Sequence, residues 1–309
     1  MVWKHKSPAI IHAPAEALDK YGNLRIGGGL PSPRKMMMAA AGAGAGGNLD
    51  FYTILQNNSL DTNLKMCLDA GSSDSYSGSG EDYLDLTANN TDFFLGSTGS
   101  ADGDEPTFAG SAGDLSINER FSVDGGDFFR HNGANPAWLQ TFHKNNAAFT
   151  IIHVYFMPAG GGAGGHLNGD YPNVANGPGF NITVDNSGND EYRVLVRNDS
   201  TTNSLIASSS ASAIDNNAWN FVMLSLDEAG GASGSFWYAN GSTINTFDAA
   251  YTSPGTGSAT HTLEIFAFGN AGSKMPSGSL HAITAMWDTN LSEANADSLW
   301  GDIRERFGL

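Results

Sequence analysis

The nine residues Phe149-Thr150-Ile151-Ile152-His153-Val154-Tyr155-Phe156-Met157 decide how this chain is read. In a strand, successive side chains point to opposite faces. Phe149, Ile151, His153, Tyr155 and Met157 therefore share one face, and Ile152, Val154 and Phe156 share the other. Both faces are largely apolar, which is the pattern of a central strand packed on two sides.

Outward from this stretch the same grammar recurs. Residues 219–227 (WNFVMLSLD) form a second strong strand candidate. Residues 180–185 (FNITVD) and 191–198 (EYRVLVRN) flank the turn NSGND and read as a hairpin, with Tyr192, Val194 and Val196 alternating against Arg193, Leu195 and Arg197. Residues 234–244 form a hairpin around Asn240-Gly241, a pair that readily adopts the positive φ of a tight turn. Another turn falls at Asp124-Gly125-Gly126, between Phe121 and Val123 on one side and Phe128 and Phe129 on the other. Residues 64–71, 261–269 and 277–288 each read as one strand, and 157–179 as a long loop rich in Gly and Asn. The clear helix comes last. Asn290 or Ser292 can cap it, and Leu299, Ile303 and Phe307 recur along one stripe, widened by Ala296 and Trp300. Arg304 and Arg306 stand in its final turn, where cations suit the helix dipole. No crossover helices separate the strands, so the expected fold is all-β: an antiparallel jelly-roll sandwich with a short C-terminal helix.

Composition agrees. Only 15% of the residues are charged, while glycine supplies 39 of 309, a balance suited to short strands and many turns. The single cysteine, Cys67, excludes an intrachain disulfide framework and reads as a core residue. No apolar run has the length of a signal-peptide core or a membrane span, so the chain is expected to fold in a cytoplasm without inserting into a membrane.

Charge divides the chain. Residues 1–47 hold six basic and two acidic residues, a net +4; the remainder holds 9 basic and 30 acidic, a net −21. An acidic body repels nucleic acid and anionic membranes, which leaves neutral glycans, cations and proteins as its expected partners. Residues 1–47 are broken by Pro8, Pro14, Pro31 and Pro33 and carry glycine runs with nothing to pack. Isolated anchors (Trp3, Ile10, Ile11, Met36, Met37) stand among the cations Lys4, Lys6, Arg25, Arg34 and Lys35. This segment is expected to be an extended arm that docks on a partner. Residues 48–61 are read as a connector, a strand or short helix, and 62–309 as the body.

Two stretches carry a family resemblance. Residues 68–86 (LDAGSSDSYSGSGEDYLDL) resemble the opening of the laminin-G-like or concanavalin-A-like jelly rolls of tailed-bacteriophage structural proteins, through Leu68, Asp69, Ala70, Gly71, Ser75, Tyr76, Gly78, Ser79, Gly80, Asp85 and Leu86. Tyr83 stands near the tryptophan usual there. The second stretch joins Phe149-Thr150-Ile151, Trp219-Asn220-Phe221-Val222, Tyr238-Ala239-Asn240-Gly241 and the run from Gly278 to Ser292. Together they cover roughly residues 62–309. The matched residues are mostly structural, so they imply the fold strongly and function only by association.

The rest of the sequence carries no recognisable catalytic pattern. The resemblance admits glycoside hydrolases, which need paired carboxylates on one strand, about 5–5.5 Å apart in the retaining type. No strand has that spacing, and Glu264 is alone on its strand. The eight histidines show no metal-ligand spacing, and His153 and His281 alternate with apolar residues as interior groups do. No P-loop, nucleophile elbow or dinucleotide fingerprint occurs. Asp185, Asn189 and Asp190 form a weak candidate for Ca2+, the only cofactor the sequence suggests. Trp138, Tyr171 and Asn173 are the candidates for stacking on and hydrogen-bonding a glycan.

The sequence thus leads to a non-enzymatic structural protein of a tailed-phage virion, a capsid decoration or short appendage. It folds in the host cytoplasm, docks on other virion proteins through the arm, and assembles as a homo-oligomer or in many copies. The alternative is a carbohydrate-binding receptor-recognition module directed at a host-surface glycan; a hydrolase is disfavoured.

Overall fold

The computed structural model describes residues 48–159, 164–171, 177–185, 189–199, 202–269 and 271–309. The arm anchors named above, from Trp3 to Met37, lie outside the described residues, as does Asn173.

The body is a sandwich of two antiparallel sheets. The first runs β14 (Ser242–Phe247), β13 (Ser235–Ala239), β12 (Ala218–Asp227), β7 (Ala148–Met157), β18 (Leu280–Trp287), β5 (Arg120–Ser122), β4 (Thr107–Ala109), with β1 (Leu64–Asp69) also pairing with β18. The second runs β11 (Asn203–Ser208), β10 (Glu191–Arg197), β9 (Gly179–Asp185), β8 (Gly165–Gly169), β15 (Glu264–Ile265), β6 (Phe129–His131), β3 (Phe93–Leu95), β2 (Asp82–Tyr83). A small ribbon, β16 (Ala267–Phe268) with β17 (Ser273–Lys274), stands beside β8. Two helices complete the body, α1 (Phe51–Asn57) and α2 (Glu293–Phe307). No helix of the described residues is long and apolar enough to cross a membrane.

The two-faced reading of β7 holds. Phe149, Ile151, Tyr155 and Met157 enter the core between the sheets, where they meet Phe180, Ile182 and Val184 of β9 and Tyr192, Val194 and Val196 of β10. Ile152 and Val154 join a second core on the opposite face, with Phe221 and Met223 of β12 and Ile283 and Trp287 of β18. The helices supply the other side of that core through Phe51, Ile54 and Leu55 of α1 and Ala296, Leu299, Ile303 and Phe307 of α2. The first sheet is therefore buried on both faces.

Local signals explain most ends. Asn240 and Gly241 take φ of 45° and 96° at the β13–β14 turn. Ser292 caps α2 by accepting from Asn295 N, and Gly308 closes it in the left-handed region. The stretch read as a connector carries α1, capped by Asp50, whose Oδ1 accepts from Thr53 N at 2.8 Å.

Two readings are corrected. The span read as a loop from 157 to 179 contains β8, a strand with few side chains to reveal it. Its glycines are needed for close approach: a Cβ on Gly169 would stand 2.6 Å from Phe180 O, and one on Gly165 would stand 2.6 Å from Met275 Sδ. The span 261–269 is two strands, because Phe266 adopts φ 62° and breaks the ladder. Arg306 stands in the last turn of α2 as expected, and there its side chain is buried. Its Nη1 and Nη2 donate to Asp69 Oδ2 and Oδ1, both at 2.7 Å. Asp69 also accepts from Phe51 N and Gly71 N, and a Cβ on Gly71 would lie 2.0 Å from Arg306 Nη2. The Asp-Ala-Gly of the opening motif is thus the socket for a guanidinium from the last helix. Asp85 does similar work, accepting from Cys67 N, Thr87 N, Thr87 Oγ1 and Thr91 N.

Candidate ligand-binding site

The outer face of the second sheet is built differently from that of the first. The residues of β9 and β10 that alternate with the core set are Asn181 and Thr183, and Arg193, Leu195 and Arg197. The ladder places Arg193 opposite Thr183 and Leu195 opposite Asn181, so these side chains stand together on one face. His166 of β8 lies opposite Thr183 on the other side of β9. Tyr171 and Phe268 of β16 complete the walls of a recess of about 250 Å³ lined by His166, Tyr171, Asn181, Thr183, Arg193, Leu195, Arg197 and Phe268.

The recess has a rigid aromatic side. Tyr171 and Phe268 lie parallel, at 2° with centroids 6.1 Å apart, and His166 packs on Phe268 at 4.2 Å. The Arg197 guanidinium lies 4.5 Å from the centre of the Tyr171 ring, and its Nη1 donates to Tyr171 Oη at 2.6 Å. Behind it, the buried carboxyl of Asp170 ties the backbone down. Its Oδ1 accepts from Phe180 N at 3.0 Å and its Oδ2 from Asn135 Nδ2 at 3.3 Å, and burial pushes its pKa up to about 8. Burial, with the Arg193 charge adding to it, lowers His166 to about 4, so its imidazole is neutral near pH 7. Among the polar atoms of the lining, Asn181 Oδ1 and His166 Nδ1 are buried without a hydrogen-bond partner. A buried acceptor left unsatisfied is costly, and such atoms mark where a ligand or water completes the structure. Among the described residues, the lining contains no carboxylate.

Other candidates fall elsewhere. Trp138 is half-buried and packs on Phe142 at 5.6 Å, so it does not share the recess with Tyr171. Asp190 sits in a turn at φ 49°. Its Oδ1 accepts from Asn216 Nδ2 and its carbonyl from Ala213 N and Ile214 N. Among the described residues no group of three or more His, Cys, Asp or Glu is placed to hold a metal ion. A smaller hollow of about 170 Å³ lies at Arg130, Thr260, His261, Thr262 and Glu264. Its carboxylate is occupied: Glu264 accepts from Arg130 Nε and Nη2 at 3.1 and 2.7 Å and from Ala271 N at 2.9 Å. His153 and His281 are interior groups that meet at the Thr284 hydroxyl, at 2.9 and 2.8 Å. Burial holds both well below the usual histidine range, His153 at about 3.

Sequence reading reached Tyr171 and the alternation of Arg193, Leu195 and Arg197, but gave those three no role. It missed His166, Asn181, Thr183 and Phe268. The signal for Asn181 and Thr183 was present, as the polar half of FNITVD, but pairing them with the arginines requires the hairpin register.

No family model matches this chain, and no curated protein matches it in sequence. Solved structures do. The receptor binding domain of botulinum neurotoxin D superposes with a TM-score of 0.53 at 10% identity, covering 78% of this chain and 53% of that one. A structure described as "Cell entry of botulinum neurotoxin type C is dependent upon interaction with two ganglioside molecules" gives 0.53 at 10%, over 79% and 52%. The binding domain of botulinum neurotoxin DC in complex with SialylT gives 0.50 at 11%, over 79% and 52%. This chain spans about half the length of those chains. At such identities the likeness shows the fold, a β-sandwich shared with binding domains.

Proposed function

We propose that this protein is a non-enzymatic glycan-binding module whose ligand seats in the recess on the outer face of the second sheet. The observation that carries this reading is the recess itself. Rigid aromatic walls, an unsatisfied amide oxygen and two guanidinium groups converge there, on a face the fold does not need to be polar in this way. The fold likeness to domains described as receptor-binding and ganglioside-dependent supports it. The non-enzymatic part is supported by the use of the carboxylates: Asp69, Asp85 and Glu264 are saturated by backbone, hydroxyl and guanidinium donors, and none lines the recess. The test is the full-length chain on a glycan array, beside Arg197→Ala. Binding to a defined set of saccharides, weakened by that substitution, is expected. Uniform silence would sink the reading, and release of cleaved sugar would sink its non-enzymatic part.

A second reading concerns where the module works. The contrast between a +4 segment at residues 1–47 and a −21 body, together with the resemblance to tailed-phage structural proteins, favours a virion component attached through that segment. Its partners would be other virion proteins. Deleting residues 1–47 is expected to abolish particle association while leaving glycan binding in place. Full association of the truncated chain would overturn this placement.

A further inference from the structure

Resting on the glycan-binding reading, we propose that the recess is specific for an anionic saccharide, one bearing a carboxylate or sulfate. Arg193 receives the charged group, and Asn181 Oδ1 accepts a hydrogen bond from a neighbouring ligand hydroxyl.

Three observations lead there. First, cations are scarce in the body, and most are engaged. Lys65, Arg130, Lys274 and Arg306 form ion pairs, Arg120 donates to Ile117 O and Asn118 O, and Arg197 donates to Tyr171 Oη. Arg193, exposed on the rim, is in none of them. It stands two positions from Leu195 and four from Arg197 on the same face of β10, so the recess carries two guanidinium groups and no carboxylate in its lining. A guanidinium presents its donors in a planar fork that matches carboxylates and related oxyanions. Second, the unsatisfied atom Asn181 Oδ1 is an acceptor in a residue only 3% exposed, so the ligand must bring a donor. A simple inorganic anion such as sulfate offers no such donor, whereas a sugar hydroxyl does. Third, Tyr171 and Phe268 are only 4% and 5% exposed, one packed under the Arg197 guanidinium and the other against His166, so the apolar surface left for a ligand to lie against is the half-buried Leu195 between the two arginines. Anion, hydroxyl donor and apolar face occur together in an acidic sugar.

The −21 charge of the body does not argue against this. At physiological ionic strength, fields are screened over about 8 Å, so most of the body's carboxylates act weakly on the recess. The nearest, Glu191 and Asp185, share the outer face with Arg193 but stand outside the lining, which itself carries Arg193 and Arg197. The body's net charge predicts neutral glycans as partners; the charge of the lining reverses that expectation for the recess.

The experiment uses the full-length chain against a matched set of oligosaccharides with the same core, carrying a carboxylate, a sulfate or neither. Anionic members are expected to bind, and Arg193→Ala to weaken them roughly 10- to 100-fold, as loss of a charge-assisted hydrogen bond does. The melting temperature should be unchanged. Asn181→Ala should weaken binding with the salt dependence retained, since it removes no charge. Bound anion should also raise the His166 titration, followed by imidazole NMR, above its starting value of about 4. Preference between the carboxylated and sulfated members identifies the source of the charge. Binding of neutral members with equal strength, indifferent to Arg193→Ala, overturns this inference and leaves the glycan-binding reading standing. Binding of no member overturns both.

Discussion

The two sheets of this sandwich have eight strands each and share one interior, yet their outer faces have opposite character. The outer face of the first carries Ile152, Val154, Phe221, Met223 and Trp287, sealed under α1 and α2. The outer face of the second carries Asn181, Thr183, Arg193 and Arg197 around an open recess. A covered face must be apolar or internally hydrogen-bonded at every alternate position, as Thr150 and Ser225 are through Thr289 O and Leu291 O, because a buried polar group without a partner is destabilising. An uncovered face is released from that rule, and its side chains can answer to a ligand. The lesson is that fold demand and functional demand are separated by sheet, and substitutions should report which demand a residue meets.

The sharpest test is the clamp that holds the helical cover. Asp69→Ala strands the Arg306 guanidinium in the interior and removes the acceptor for Phe51 N and Gly71 N. A loss of about 3–5 kcal/mol is expected in chemical denaturation, partly recovered by adding Arg306→Met, which removes the stranded charge. A loss under about 1 kcal/mol would show that the cover does not depend on the pair. The same-type comparison comes next. Ile152→Ala on the covered face is expected to cost about 2–5 kcal/mol, whereas Leu195→Ala on the open face should cost well under half of that. Equal costs would erase the distinction between the faces.

The interior between the sheets responds to acid. His153 and His281 have folded pKa values below the ordinary 6.5, so the unfolded chain binds more protons in the window between. Their contribution is therefore fully present above pH 6.5 and is lost as pH falls toward 3, at up to about 1.4 kcal/mol per unit per imidazole. Urea midpoints measured from pH 7 to 4 should fall on that schedule. Thr284→Val, which leaves both imidazoles without their shared hydroxyl, should cost about 1–3 kcal/mol at pH 7. The smallest effect belongs to Arg193→Ala, within about 0.5 kcal/mol, because nothing in the fold leans on it. A larger loss would make Arg193 a structural residue and blur the contrast between the sheets.

Much of this architecture was legible from residues alone. The double alternation of 149–157 announced a strand packed on both faces, Asn240-Gly241 announced its hairpin, and Ser292 with Leu299, Ile303 and Phe307 announced α2. What stayed hidden has physical reasons. β8 is written in glycines whose role is to let backbones approach, so it has little side-chain pattern. Asp69 and Arg306 lie 237 residues apart, and an arginine in a last helical turn looks like an ordinary solvated cation until its partner is known. The recess draws on β8, β9, β10 and β16. Each polar residue is visible singly, but only strand register brings them together.

The position of β18 has one more consequence. This strand, at residues 280–287, pairs with β1, β5 and β7 and so holds the middle of the first sheet. The ribosome makes it after every other strand described above. Until it emerges, β7 lacks one neighbour and the opening strand β1 lacks its partner, while Asp69 waits longer still for Arg306. The body therefore closes late and through contacts distant in sequence, which makes folding slow and leaves apolar edges exposed during synthesis. A nascent chain of this design depends on its surroundings to stay soluble until residues 280–309 arrive.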